Sequence, residues 1–142
     1  MRPQPLICVR DVEASSRWYQ QLLGLETLPD HPHRDMYDRL LSDGRLILQL
    51  HAWDKEDHPN LVNANAARPG HGVLIWFETD DFDAAIERVR TLGAEIVLEP
   101  HFNPSPRHRE VWIRDPDGYV VVVASADGES ARSGDGSCER VS

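Results

Sequence analysis

The strongest constraint on this chain is that its sequence states one pattern twice. "RDVEASSRWYQQLLG" at residues 10–24 and "TDDFDAAIERVRTLG" at 79–93 share the order acidic cap, amphipathic run, Gly stop. "SDGRLILQL" at 42–50 and "PDGYVVVVA" at 116–124 share a second order: turn, Gly, apolar strand. A sequence that repeats itself implies a repeated structural unit. Each half reads β-α-β-β-β. One face of each sheet takes its helix, so the other must be buried against something or line a cavity.

Local signals set the boundaries. "PLICV" (5–9) is a short strand, and Asp11 caps a helix over 12–22, where Val12, Trp18, Tyr19, Leu22 and Leu23 recur at helical spacing. "YDRLL" and "RLILQLHAW" read as strands. In the second half, "GVLIWFET" is a strand, Asp80 and Asp81 start a helix that stops at Gly93, and "AEIVLEP" is a strand. A Pro-rich loop over 100–106 then leads to "REVWIRD", the "PDG" turn and "YVVVVAS". Residues 1–126 therefore form a single domain, with modules at about 1–53 and 71–126 joined by a polar linker at 54–70. The Gly/Ser-rich, charged stretch 127–142 has the composition of a disordered tail.

Composition narrows the partners. The net charge of −9 argues against nucleic acid or an anionic membrane surface, both of which reward surplus Lys and Arg. Two cysteines, Cys8 and Cys138, make neither a disulfide framework nor a CxxC metal site. The first residues carry no long apolar stretch. A cytoplasmic protein with a small-molecule partner is the expectation.

"VRDVEASSRWYQQLLGL", "TDDFDAAIERVRTLGA" and "IRDPDGYVVVV" resemble the vicinal oxygen chelate superfamily, which holds glyoxalase I, ring-cleaving dioxygenases and bleomycin-resistance proteins. The likeness covers nearly everything except the tail. It implies an α+β fold of two tandem βαβββ modules, whose mixed sheets form a cup with the helices on the outer face. It also implies a homodimer, since such modules complete their cups within a chain or between two. It leaves activity open, because a shared fold does not fix function.

In metal-using members four side chains point into each cavity, one from each of four strands. The resemblance puts those positions at Gln4, Gln49, Leu74 (Val73 if the register slips by one) and Val122. Divalent metals need carboxylates, imidazoles or thiolates at most positions. Two amides and two aliphatics do not supply them. The expectation is no metal and no other cofactor, with a divalent metal at a non-standard site as the alternative.

Alternation along the strands sorts the remaining candidates. Leu46, Leu48 and Leu50 form one face of "RLILQLHAW", leaving Gln49 and His51 on the other. Val111 and Ile113 oppose Glu110, Trp112 and Arg114; Val73, Ile75 and Phe77 oppose Leu74, Trp76 and Glu78. The family register turns the second set inward, so the expected lining is Gln49, His51, Leu74, Trp76, Glu110, Trp112, Val120 and Val122. His101 and Asn103, in the Pro-rich loop at the cavity mouth, join it as ligand-binding candidates.

His51 and Glu110 are the acid–base-capable pair of that lining, either as a general base with its orienting carboxylate or as a satisfied buried hydrogen bond. Two functions follow. One is a metal-independent binding protein of the bleomycin-resistance type, holding an aromatic or cationic ligand between Trp-lined sheets. The other is a lyase, isomerase or dioxygenase with a displaced site built from His51, Glu110 and His101 or His108. Whether the chain is an enzyme stays open at this point.

Overall fold

The computed structural model describes residues 2–29, 35–53, 61, 70–71 and 73–129. The expected linker, apart from Leu61 and Gly70, lies outside that set, as do His31, His33, His58 and the tail beyond Glu129.

The repeat is realised as two α+β modules. The first comprises β1 (Leu6–Val9), α1 (Val12–Leu23), β2 (Tyr37–Ser42) and β3 (Arg45–Ala52). The second comprises β4 (Leu74–Glu78), α2 (Phe82–Leu92), β5 (Glu95–Asn103), β6 (His108–Arg114) and β7 (Val120–Ala124). The sheets are ordered β1-β3-β2 and β4-β7-β6-β5. Both are mixed: β1–β3 and β4–β7 are parallel, and the other pairs are antiparallel.

Two details differ from the sequence expectation. The first module has three strands, with a single Glu26–Leu41 bridge where the second carries β5. The Pro-rich stretch is largely sheet: β5 runs through Pro100 to Asn103 and β6 begins at His108. Pro100 is tolerated because β5 is an edge strand, where a missing N–H need not break a ladder. Irregularities at Ile96/Leu98 and Leu98/His101 interrupt the pairing around it.

Both helices begin and end as their sequences dictate. Asp11 and Asp81 accept from the Ala14 and Ala84 amides, each at 3.0 Å, satisfying donors that a helix start leaves unpaired. Gly24 and Gly93 close the helices in the left-handed conformation, at φ of 65° and 64°. Their buried faces meet the predicted apolar sides of the strands. Leu48, Leu50, Val111, Ile113 and Val121 are fully covered and belong to one core with Tyr19, Leu22, Phe82 and Val89.

The modules are tied together at the 115–118 turn. Asp115 Oδ1 accepts from the Asp117 and Tyr119 amides, and its Oδ2 accepts from the buried Tyr19 hydroxyl on α1 at 2.7 Å. Asp117 accepts from the Arg10 amide and the Ser15 hydroxyl. In return the Tyr119 hydroxyl donates to the Cys8 carbonyl of β1 at 2.9 Å. Tyr119 also packs beneath Gly70, where an added Cβ would lie 2.6 Å from its ring. Among the described residues no helix is long and apolar enough to cross a membrane.

Removing one partner from a buried hydrogen bond costs about 1–3 kcal/mol, because the survivor stays desolvated. Tyr19→Phe leaves the Asp115 carboxylate short of one donor. It should lower unfolding stability by that amount in a urea titration with little change in slope.

Candidate functional site

The candidate residues divide between two sheet faces. On β2 the buried Asp38 turns toward α1, accepting from the Ser16 hydroxyl at 2.6 Å. Alternation therefore points Tyr37 and Arg39 to the opposite side, beside their partners His51 and Gln49 on β3. Gln49 is committed within the sheet: its Oε1 accepts from Tyr37 Oη at 2.5 Å and its Nε2 donates to the Gln4 carbonyl at 3.0 Å. His51 Nδ1 lies 2.6 Å from the Ala52 carbonyl.

The second face belongs to the four-stranded sheet. Trp76 on β4, Val122 on β7, Trp112 on β6 and Leu98 on β5 lie in one transverse row. Leu74 and Val120 occupy the next row, opposite Arg114. Val122 is fully buried yet outside the helix-facing core, while Trp76, Leu74 and Leu98 are 44–45% exposed. Two indoles thus stand on either side of a valine floor, on a face that the single chain leaves open.

Glu110 organises the upper end of this face. Its Oε1 accepts from Trp112 Nε1 at 3.1 Å and lies 3.1 Å from His101 Nε2. Its Oε2 lies 2.5 Å from His108 Nε2 and 3.5 Å from Asn103 Nδ2. The other nitrogen of His108 meets Asp127 at 3.0 Å, and its ring lies 5.6 Å from that of Trp76. Each tryptophan is thereby steadied by the same polar group, one through its N–H and the other through a neighbouring ring.

This geometry corrects the expected pairing. Among the described residues, Glu110 meets His101 and His108 rather than His51. His108 is also no loop residue: it opens β6 and is buried. The signal was present, since His108 precedes Glu110 by two and shares its face, but the prolines placed the start of the strand too late. Asp127, assigned to the tail, instead holds His108. Glu129 likewise pairs with Arg109 at 2.8 Å.

The carboxylates set the charge of this cluster. Burial alone would lower the His108 pKa, but hydrogen bonds to Asp127 and Glu110 raise it above its ordinary 6.5. Burial works against Glu110 as well, yet hydrogen bonds from His108, Trp112 and Asn103 bring its pKa below 4.5. Both shifts favour the imidazolium–carboxylate form of the pair. His108, Trp112 and Asn103 all bond the carboxylate, and His101, the more exposed neighbour, lies against its remaining side.

A metal at the family's four positions does not fit this chain. Gln49 already uses both ends of its amide, and Val122 and Leu74 carry no donor atom. Among the described residues no group of three or more His, Cys, Asp or Glu is disposed to hold a metal ion. Among the described residues, two pockets are defined, and neither gathers the whole of the expected lining. A groove of about 860 Å³ follows the β4 edge past Leu6, Ile47, Leu74 and Trp76, without Gln49, His51, Glu110 or Trp112. A second pocket of about 540 Å³ lies between α2 and β5, where Arg109 is already paired with Asp83 and Glu129.

Comparison with known proteins matches residues 3–123 to the model of the Glyoxalase/Bleomycin resistance protein/Dioxygenase superfamily. Lactoylglutathione lyase of Neisseria meningitidis is 32% identical over 125 residues, covering 82% of this chain and 83% of the relative. Anthracycline biosynthesis protein DnrV of Streptomyces peucetius is 33% identical over 118 residues, covering 80% and 42%. Glyoxalase I of Saccharomyces cerevisiae is 26% identical over 134 residues, covering 83% and 41%. The chain therefore spans about two-fifths of the length of those last two relatives. Among solved structures, TioX from Micromonospora sp. ML1 superposes with a TM-score of 0.69 at 16% identity, covering 88% and 98%. Lactoylglutathione lyase from Agrobacterium tumefaciens superposes at 0.65 and 20%, covering 89% and 93%. At those identities the superpositions establish the fold.

The charged pair makes stability pH-dependent in two directions. The His108 contribution is complete below 6.5 and is lost as pH rises through its raised folded value. The Glu110 contribution is complete above 4.5 and is lost as pH falls through its lowered folded value. His108→Gln should flatten the alkaline limb of a melting-temperature profile. It should also weaken the acid limb, since Glu110 loses its main counter-charge.

Proposed function

From the premise that the chain belongs to the Glyoxalase/Bleomycin resistance protein/Dioxygenase superfamily, we propose that it is a metal-independent small-molecule-binding protein. Its ligand is a flat aromatic held on the Trp76–Val122–Trp112 row. That row is the observation that carries the reading, because two indoles flanking an apolar residue on one sheet face reward a planar ring. An aromatic ligand is favoured over a cationic one because His108, Trp112 and Asn103 already engage the Glu110 carboxylate. Glu110 and His108 act as positioning residues, holding Trp112 and Trp76 at their working angles.

The open face supports a homodimer. Leu74, Trp76 and Leu98 are too exposed to make a closed site alone, and a second copy would cover them. A relative named for anthracycline biosynthesis is compatible with a ligand-handling role, and relatives named lactoylglutathione lyase are compatible with turnover. A reducing cytoplasm suits the buried thiol of Cys8.

A second reading, a lyase or isomerase working by proton transfer, is favoured by the Asp127–His108–Glu110–His101 chain. It runs from the surface through a buried dyad to the half-exposed His101. In this reading His101 leaves Glu110 when substrate enters, and the carboxylate oxygen it frees takes a proton from one carbon of the substrate and returns it to another.

Quenching of tryptophan emission by 2-naphthol tests the first reading. Trp112→Phe and Trp76→Phe should each reduce both quenching and affinity, and a chelator should change neither. Stoichiometric metal in protein purified without a His-tag would overturn metal independence. Glu110→Gln separates the two readings: a binding protein keeps its affinity within about tenfold, or ~1.4 kcal/mol. An enzyme loses turnover while its substrate affinity persists.

A further inference from the structure

The three-stranded sheet presents a face of different chemistry. Leu6 and Cys8 on β1, Gln49 and His51 on β3, and Tyr37 and Arg39 on β2 share that side, as the registers require. None is acidic, although the chain holds 24 Asp and Glu against 15 Lys and Arg. Arg39 stands out among them. Its Nε is shut off from water and has no hydrogen-bond partner. Among the described residues its guanidinium forms no ion pair, and it differs from the other arginines in having a buried nitrogen without a partner. The nearby Asp38 is unavailable, because it faces α1 and serves Ser16 and the Arg39 amide.

A buried donor without a partner carries a desolvation cost that a folded chain normally avoids. Here the guanidinium carries that cost in a strongly acidic protein, where a carboxylate partner would be easy to supply. Tyr37, Gln49 and Gln4 are linked by hydrogen bonds beside it, so the surrounding polar groups are held in place. Arg39 as a whole is only partly buried, so the rest of its side chain stays open to solvent, and a guanidinium fork is suited to an acidic oxygen.

We infer that Arg39 receives a carboxylate or similar acidic oxygen of the ligand on the face of the three-stranded sheet. The ligand class is then an aromatic acid. The aromatic half of that statement rests on the binding reading above; the anionic half stands on Arg39 alone. Stacking on one sheet and charge pairing on the other would orient a ring by its acidic edge, whichever chain supplies the opposing wall.

Benzoate and its neutral analogue benzamide test this directly, read by calorimetry and by the Arg39 Nε–H resonance. Benzoate should shift that resonance and bind at least about tenfold more tightly than benzamide, as expected for a charge-assisted pair. Arg39→Gln should reduce benzoate affinity to the benzamide level without lowering the melting temperature, since it removes an unsatisfied buried donor. Arg39→Lys, which keeps the charge but not the planar fork, should recover part of the benzoate preference. Equal affinity for the two probes, or an Arg39 resonance unmoved up to the solubility limit of benzoate, overturns the inference. So does an Arg39→Gln protein that dissociates in light scattering while wild-type protein ignores benzoate, because Arg39 would then serve a second copy. If Trp76→Phe and Trp112→Phe change nothing but the Arg39 dependence holds, the aromatic wall fails and the anion site stands.

Discussion

The Asp115 carboxylate is the contact on which the architecture depends. It shapes its own turn through two backbone amides and reaches across to the Tyr19 hydroxyl of the other module. One buried oxygen pair therefore defines where β7 starts and how α1 lies against it. The reciprocal bond from Tyr119 to Cys8 closes the same seam from the other side. Burial pushes the Asp115 pKa up, and its donors oppose that shift. A network of this kind is stabilising only when complete, which makes it a specifier of register as much as a source of free energy.

Once the seam is set, the two sheets can diverge in chemistry. The four-stranded sheet supplies aromatic surface braced by an internal ion pair. The three-stranded sheet supplies hydrogen-bonding groups and a guanidinium. Duplicated modules built on one plan have become two unlike walls. On the proposed reading, selectivity would come from requiring both walls at once, since neither a bare ring nor a bare anion would satisfy the pair.

Much of this was legible in the sequence, and the reason is periodicity. The acidic caps, the Gly stops and the apolar alternation of "LILQL", "EVWIR" and "VVVVA" are local rules, and the structure obeys them at Asp11, Gly24, Leu48, Leu50, Val111 and Ile113. Trp76, Trp112 and Val122 fell on one face for the same reason. The pairing of Glu110 was not legible. Which imidazole reaches a carboxylate depends on strand length and sheet assignment, and the three prolines concealed the first residue of β6, His108. Arg39 was overlooked because "YDRLL" is short, and only the orientation of Asp38 toward Ser16 shows which way its neighbours point.

The residues just past β7 have a practical meaning. Likeness to the superfamily stops at 123, and the apolar strand stops at Ala124, so a domain boundary is naturally drawn there. Yet Asp127 holds His108, while Glu129 grips Arg109 and the Ser125 hydroxyl. A protein cut at the homology limit would keep its fold-defining strands and lose the outer partners of His108 and Arg109. Two laboratories trimming this chain five residues apart would be studying two differently tuned sites.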